Sequence, residues 1–353
     1  MIISSPGRIC LFGEHQDYLG LPVIASAISL RLSIEAHKRD DLEVHVKLPD
    51  VGSEESFNIE GDLVYSKAGD YFKSGINTLR KDGFNFSKGL DATVSGKIPV
   101  QAGTSSSSAL VVSWINLLAR MSDQETDLDL GQLADLAYRA EVDEFNESGG
   151  LMDQYTSALG GVVYIESEPK IKVKKLSCNF GSFVLGDSLQ KKDTQDILGK
   201  SKEKVIDIVN RIKAERRDFS FHNIFSSEIS NMEFLDKNEK LLMTKTIANR
   251  DITFEGLRIL EGKEIDSKKF GSLLNQQHAL LRDTLKVSTE KIDAMLDAAL
   301  SAGAVGGKIN GSGGGGCMFA YAPDDAEEVV IAIEKAGGKA YVVHSDVGSS
   351  FHE

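Results

Sequence analysis

Cysteine, proline and tryptophan are scarce in this chain of 353 residues, at three, six and one. Cys10, Cys178 and Cys317 are odd in number, far apart and outside any Cys-x-x-Cys arrangement. That argues against both a disulfide framework and a structural zinc site, and fits reduced thiols in a cytoplasmic protein. A basic excess is also missing. Lysine and arginine total 40 against 53 acidic residues, a net charge of -13, and no concentrated basic face offers itself to a nucleic-acid backbone. An acidic sum does not exclude ATP, which backbone amides and one or two cations can bind. No apolar run approaches the roughly 20 residues that span a bilayer, so no membrane partner is expected. The N-terminus lacks a basic segment followed by an apolar core, and no internal repeat is evident.

Glycine, at 33 residues, is plentiful, and much of it falls with serine in three segments. The first runs from Pro6-Gly7-Arg8 into Gly13-Glu14-His15-Gln16-Asp17-Tyr18. The second is Gly103-Thr104-Ser105-Ser106-Ser107-Ser108-Ala109, and the third Gly311-Ser312-Gly313-Gly314-Gly315-Gly316-Cys317. Small residues let a backbone bend tightly and approach a ligand, and a run of bare N–H groups holds phosphate. The chain thus reads as built around a nucleotide and a second, smaller substrate.

Its length exceeds what one core usually serves, so two domains around a cleft are expected. Val23 to Ala36 and Leu42 to Leu48 alternate as strands, and Leu130 to Phe145 carries apolar residues at helical spacing, ended by Gly149-Gly150. Three short strands follow, Gly161 to Ile165, Ile171 to Leu176 and Phe183 to Leu185, with a turn at Pro169. Composition shifts after Asp187 to a charged, helical pattern as far as residue 300. A strand Cys317 to Tyr321, a helix Asp324 to Ala336 and a strand Ala340 to His344 complete the order. The expectation is a mixed α/β first domain over 1–189 and an α+β second domain over 190–353.

The second segment carries the strongest chemical signal. It stands between a strand end at Val94 to Ile98 and a run, Ala109 to Leu118, that is apolar nearly all round. It should therefore open a buried helix whose positive N-terminus and free N–H groups bind phosphate; the plainer alternative is a serine cap. Two familiar nucleotide patterns fail beside it. Thr194 to Ser201 resembles a P-loop but has threonine for its first glycine, and Gly311, Gly313 and Gly316 fit Gly-x-Gly-x-x-Gly but lead into a strand. Asp153 could accept a hydroxyl proton or cap a helix. Glu141 and Glu144 fall on an inward helix face, where a carboxylate needs a metal or a salt bridge. Glu14, His15 and Asp17, with Arg8 upstream, form a polar cluster able to hold sugar hydroxyls.

In this order and at these distances the three segments resemble those of the GHMP small-molecule kinases, and Pro6-Gly7-Arg8-x4-Gly13-Glu14-His15-x-Asp17-Tyr18 resembles the galactokinase signature. Gly150-Leu151-Met152-Asp153-Gln154 is similar to the galactokinase segment with the catalytic aspartate, and Ala140-Glu141 to its magnesium glutamate. His278 through Arg282-Asp283 and Val287-Ser288 is similar to its pre-loop helix. The resemblance implies a two-domain GHMP kinase fold with the active site in the cleft, and ATP-dependent phosphorylation of the anomeric hydroxyl of galactose. It further implies ATP on Gly103, Thr104, Ser105, Ser106, Ser107 and Gly313, Gly314, Gly315; Mg2+ on Ser107 and Glu141; catalysis by Asp153 and Arg8; and the sugar on Glu14, His15, Asp17 and Gly150. Gln16 stands where threonine is usual, Thr104 where leucine is, and Gly149 where cysteine is common. No tyrosine-bearing sugar segment is found around Asp187 to Lys200. The third segment is nearer the mevalonate kinase form. A kinase for another sugar or for mevalonate, and an inactive sugar sensor on the same fold, are the alternatives. Oligomeric state has no signature in the sequence.

Overall fold

Long apolar strands, a buried helix behind the second glycine segment and a helical region after residue 190 combine into two sheets with helices on their outer faces. The computed structural model describes residues 1–352 except 148, 169 and 191–193, and within 194–201 the backbone alone. The turn expected at Pro169 lies outside the described residues. In chain order the first half contains β1 (Ile2–Phe12), β2 (Val23–Lys38), β3 (Glu43–Leu48), β4 (Ser53–Asn58), α1 (Tyr71–Lys81), β5 (Leu90–Gly96), α2 (Ser106–Met121), α3 (Leu130–Tyr138) and α4 (Met152–Leu159). Then come β6 (Val162–Glu166), β7 (Lys172–Leu176), β8 (Phe183–Asp187), α5 (Thr194–Glu215), α6 (Ser226–Ser230), α7 (Lys237–Leu260) and α8 (Ser267–Leu280). The chain closes with α9 (Glu290–Ser301), β9 (Gly306–Ile309), β10 (Cys317–Tyr321), α10 (Ala326–Lys335), β11 (Lys339–Val343) and β12 (Ser350–His352).

The first sheet runs β12-β1-β2-β5-β3-β4, with β6 also on β2 and β7 on β6. The 16 residues of β2 are long enough to pair with β6 through Val23 to Ser26 and with β5 through Leu32 to Lys38. The second sheet runs β11-β8-β10-β9, antiparallel throughout. One core, including Trp114, Leu117 and Leu133, joins α1–α4 to the first sheet. A second core contains Phe12, Phe183, Phe270 and Phe319 and is shared by both sheets, the Phe12 and Phe270 rings meeting edge-on at 5.4 Å. A third packs α9 and α10 on the far side of the second sheet, and a fourth binds α5 and α7 to Leu21.

The sheets do not part at residue 190. β8 lies inside the second sheet, where Asp187 registers with Cys317, and β12 returns to the first, where His352 pairs with Ile2. Phe183 and Leu185 belong to the shared aromatic core, and that packing draws the strand across the expected boundary. The helix expected over Leu130 to Phe145 is α-helical only to Tyr138, and Arg139–Asp143 opens into a wider π turn. Pro6-Gly7-Arg8 is no loop: it lies within β1, at a shift in its pairing with β2. No helix among the described residues is long and apolar enough to cross a membrane.

Candidate active site

The second glycine segment leaves β5 and turns into α2 through two left-handed residues, Gly103 at φ 82° and Ser105 at φ 59°. Such a conformation suits glycine and is a local cost for serine. Along α2, Val111, Trp114, Ile115 and Leu118 are buried, so the helix is fixed as a spine while its first turn opens on a cavity of about 550 Å3. Ser107 and Ser108 line that cavity. Thr104 faces inward, its hydroxyl donating to Pro99 O at 3.2 Å and its carbonyl accepting from Arg8 N at 3.1 Å.

Arg8 points from β1 to the start of α4. Its Nε donates to Asp153 Oδ1 at 2.8 Å and its Nη2 to Oδ2 at 3.0 Å, while Nη1 donates to Gly103 O. Burial alone would lower the guanidinium's pKa, but the Asp153 carboxylate outweighs it and holds Arg8 above its ordinary value. The aspartate side chain remains 29% exposed, towards the cavity. Asp17 stands nearby in a short helical turn, its carboxyl raised by burial against the Tyr18 N–H it accepts at 3.0 Å. A Cβ on Gly150 would lie 2.0 Å from Asp17 Oδ2, so any larger residue there must displace the Asp17 carboxylate. His15, at φ 60°, also lines the cavity.

Glu14 lines the cavity as well. Its carboxylate receives the Lys308 ammonium on one oxygen and the Gly311 N–H on the other, and burial raises its pKa against both. Gln16 is turned away: its Nε2 donates to Pro22 O at 2.6 Å and to Thr253 Oγ1 at 3.3 Å, in a position with no exposure.

The third segment meets the second, as one reaction centre requires. Asn310 Nδ2 donates to Gly103 O at 2.7 Å, and Cys317 N to Ala102 O at 2.8 Å. Gly311 and Ser312 line the cavity, whereas Gly314 N donates to Val287 O at 2.7 Å and a Cβ on Gly313 would stand 2.4 Å from that oxygen. His278 sets the height of β9 beneath this loop: Ile309 N donates to its Nδ1 at 3.3 Å, and its Nε2 lies 3.1 Å from Asp293.

The two inward glutamates separate. Glu141, 5% exposed, accepts from Gln154 Nε2 at 2.7 Å and from Ser107 and Ser108, yet burial pushes its carboxyl up to about 7. Glu144, expected nearer the middle of the inward face, instead pairs with Lys81 and Tyr65 outside the site, because the wide turn alters the helical register at Glu141. Lys308, Asn310, Ser108 and Gln154 were not found by the sequence reading. A lysine inside the apolar run Gly306–Ile309 was the one available signal for the first.

The GHMP kinases N terminal domain matches residues 70–161, the GHMP kinases C terminal domain residues 259–339, and the galactokinase galactose-binding signature residues 1–38. The mevalonate kinase of Thermococcus gammatolerans is 30% identical over 96% of this chain and 94% of its own. The galactokinase of Exiguobacterium sibiricum is 26% identical over 99% and 90%. Among solved structures, Lactococcus lactis galactokinase complexed with galactose superposes with a TM-score of 0.85 at 23% identity, covering 99% of this chain and 94% of that one. With these matches along nearly its whole length, the chain belongs to the GHMP kinases, phosphotransferases that act on alcohol groups with ATP as co-substrate.

Proposed function

We propose that the chain is a sugar kinase transferring the γ-phosphoryl of ATP to the anomeric hydroxyl of galactose. The observation that carries the reading is the Asp153 carboxylate, clamped by Arg8 at two points and facing the cavity that the first turn of α2 also enters. In this reading the N–H groups from Gly103 to Ser107 and the edge at Gly311 and Ser312 bind the nucleotide's phosphates. Asp153 accepts or orients the acceptor's proton, and Arg8 offsets charge developing on the phosphoryl oxygens. His15, Asp17 and Gly150 shape the hydroxyl site. Phosphoryl transfer depends chiefly on positioning and electrostatics, so this small set suffices.

Magnesium fits the residues present. Ser107 and Glu141 offer hard oxygen donors side by side beneath the phosphate site, and one carboxylate with substrate phosphates is the usual magnesium environment. When bound, the ion would neutralise phosphate charge.

Galactose is favoured by the signature over 1–38 and by Asp17 beside Asp153. A second reading, mevalonate as acceptor, draws on the similarity to the Thermococcus protein and on Lys202, a cation lining the same cavity 5.1 Å from the Tyr18 ring centroid. A panel of free sugars and mevalonate, followed by ATP-dependent ADP release, separates them. The expected result is galactose used at least about tenfold more efficiently than glucose, or about 1.4 kcal/mol of transition-state binding. Turnover of mevalonate with galactose inert would replace the reading; inertness towards every acceptor would favour a sensor.

A further inference from the structure

Lys308 has no access to solvent. Its ammonium donates to Cys10 O at 2.9 Å and to the Glu14 carboxylate, and lies 5.3 Å from the Phe319 ring centroid. Glu14 is tied on every side: one oxygen to Lys308, the other to the Gly311 N–H, and its backbone oxygen to Asn249 Nδ2 at 2.9 Å. Asn310 between them accepts from Cys10 N at 2.8 Å and donates to Gly103 O at 2.7 Å. The first and third glycine segments therefore meet at one buried ion pair, and Asn310 beside it ties in the second. Such a pair is weak evidence for stability, since apolar residues of similar volume often replace it without loss, whereas removing one partner strands the other's charge. What it supplies here is register between segments far apart in sequence.

We propose that Lys308 and Glu14 are a positioning pair: Lys308 holds the Glu14 carboxyl in place, Glu14 holds Gly311, and the third glycine loop is thereby set for the nucleotide. The proposal rests on the reading of that loop as part of the nucleotide site.

The test is a double-mutant cycle on the full chain with K308M, E14Q and the pair together, reading KM for ATP and for the acceptor separately. K308M is expected to raise the ATP KM by about tenfold or more while the acceptor KM stays within about twofold, because a stranded Glu14 carboxylate releases or distorts Gly311. E14Q/K308M, with no buried charge and an amide oxygen still able to accept from Gly311 N–H, is expected to return the ATP KM to within about threefold of wild type. That recovery also serves where K308M folds poorly. Two results would overturn the proposal: a double variant as impaired as the product of the singles, or an E14Q whose acceptor KM rises with the ATP KM unchanged. If no acceptor is phosphorylated by the wild type, the functional reading fails by itself. Calorimetric binding of a non-hydrolysable ATP analogue to the same variants then decides the positioning pair.

Discussion

Replacing Glu141 by glutamine isolates the cost of keeping a carboxylate beneath the phosphate loop. Burial raises that carboxyl from 4.5 to about 7, over the opposing hydrogen bonds of Gln154, Ser107 and Ser108. The folded protein thus retains a proton that the unfolded chain has already released. The group's contribution to stability is complete below the unfolded value of 4.5 and is lost as pH rises through about 7. At about 1.4 kcal/mol per unit the whole shift is worth roughly 3 kcal/mol, and most of it falls between about pH 5 and about pH 8. Glutamine does not titrate. The stability of E141Q relative to wild type should therefore rise by roughly 2–3 kcal/mol across that window, whatever constant offset its altered hydrogen bonds introduce. Urea unfolding of chelator-treated, nucleotide-free protein at a series of pH values measures this difference. Curves that run parallel for the two proteins would refute the assignment of a buried, proton-holding Glu141. Adding magnesium and nucleotide should then stabilise wild type more than E141Q, since ligand binding to the ionised carboxylate recovers what burial costs.

D153N should lower turnover by about 10²–10⁴-fold with a smaller change in acceptor affinity, measured by steady-state kinetics; near-normal turnover of a folded variant would remove Asp153 as base. G150A forces a methyl to within 2.0 Å of Asp17 Oδ2, so Asp17 must move. Its acceptor KM should rise while the ATP KM holds, and an unchanged acceptor KM would place the acceptor elsewhere. E144Q loses a surface pair with Lys81, worth under about 1 kcal/mol, and should leave the magnesium requirement unaltered; a raised requirement would return the metal site to Glu144.

The parts of the fold written in short-range patterns were legible. Alternation marks β2 and β3, the apolar run after Ser108 marks α2, and the glycine segments mark where the chain must turn back on itself. Arg8 within β1, Asp153 at the start of α4 and Glu141 in the π turn come from locally distinctive segments, and all three line one cavity. What stayed hidden depends on partners distant in the chain. Lys308 resembles any strand lysine until Glu14 is placed against it, and Gln16 seems to face substrate until Thr253 on α7 supplies its partner. Helical spacing could not distinguish Glu141 from Glu144 because the period itself changes at Arg139, where hydrogen bonds to i−5 replace those to i−4. That β8 joins the second sheet was hidden for a similar reason: the aromatic packing of Phe183 is decided by Phe319 and Tyr321, more than a hundred residues onward.

The return of β12 to Ile2–Ser4 imposes an order on biosynthesis. The strand that carries Arg8 is made long before Ser350 to His352, yet part of its outer rim is covered only when they arrive, with Arg31 binding Asp346, Val347 O and Gly348 O to hold them. At about 5–20 residues per second the ribosome takes roughly 17–70 s to span that interval. Throughout it one edge of Ile2–Ser4, the side not paired with β2, stays open to its surroundings, a template for pairing with other chains. Late closure therefore leaves that edge of β1 open to mispairing for most of the synthesis between the two strands, so that deleting Ser350 to His352 should lower the yield of correctly closed sheet.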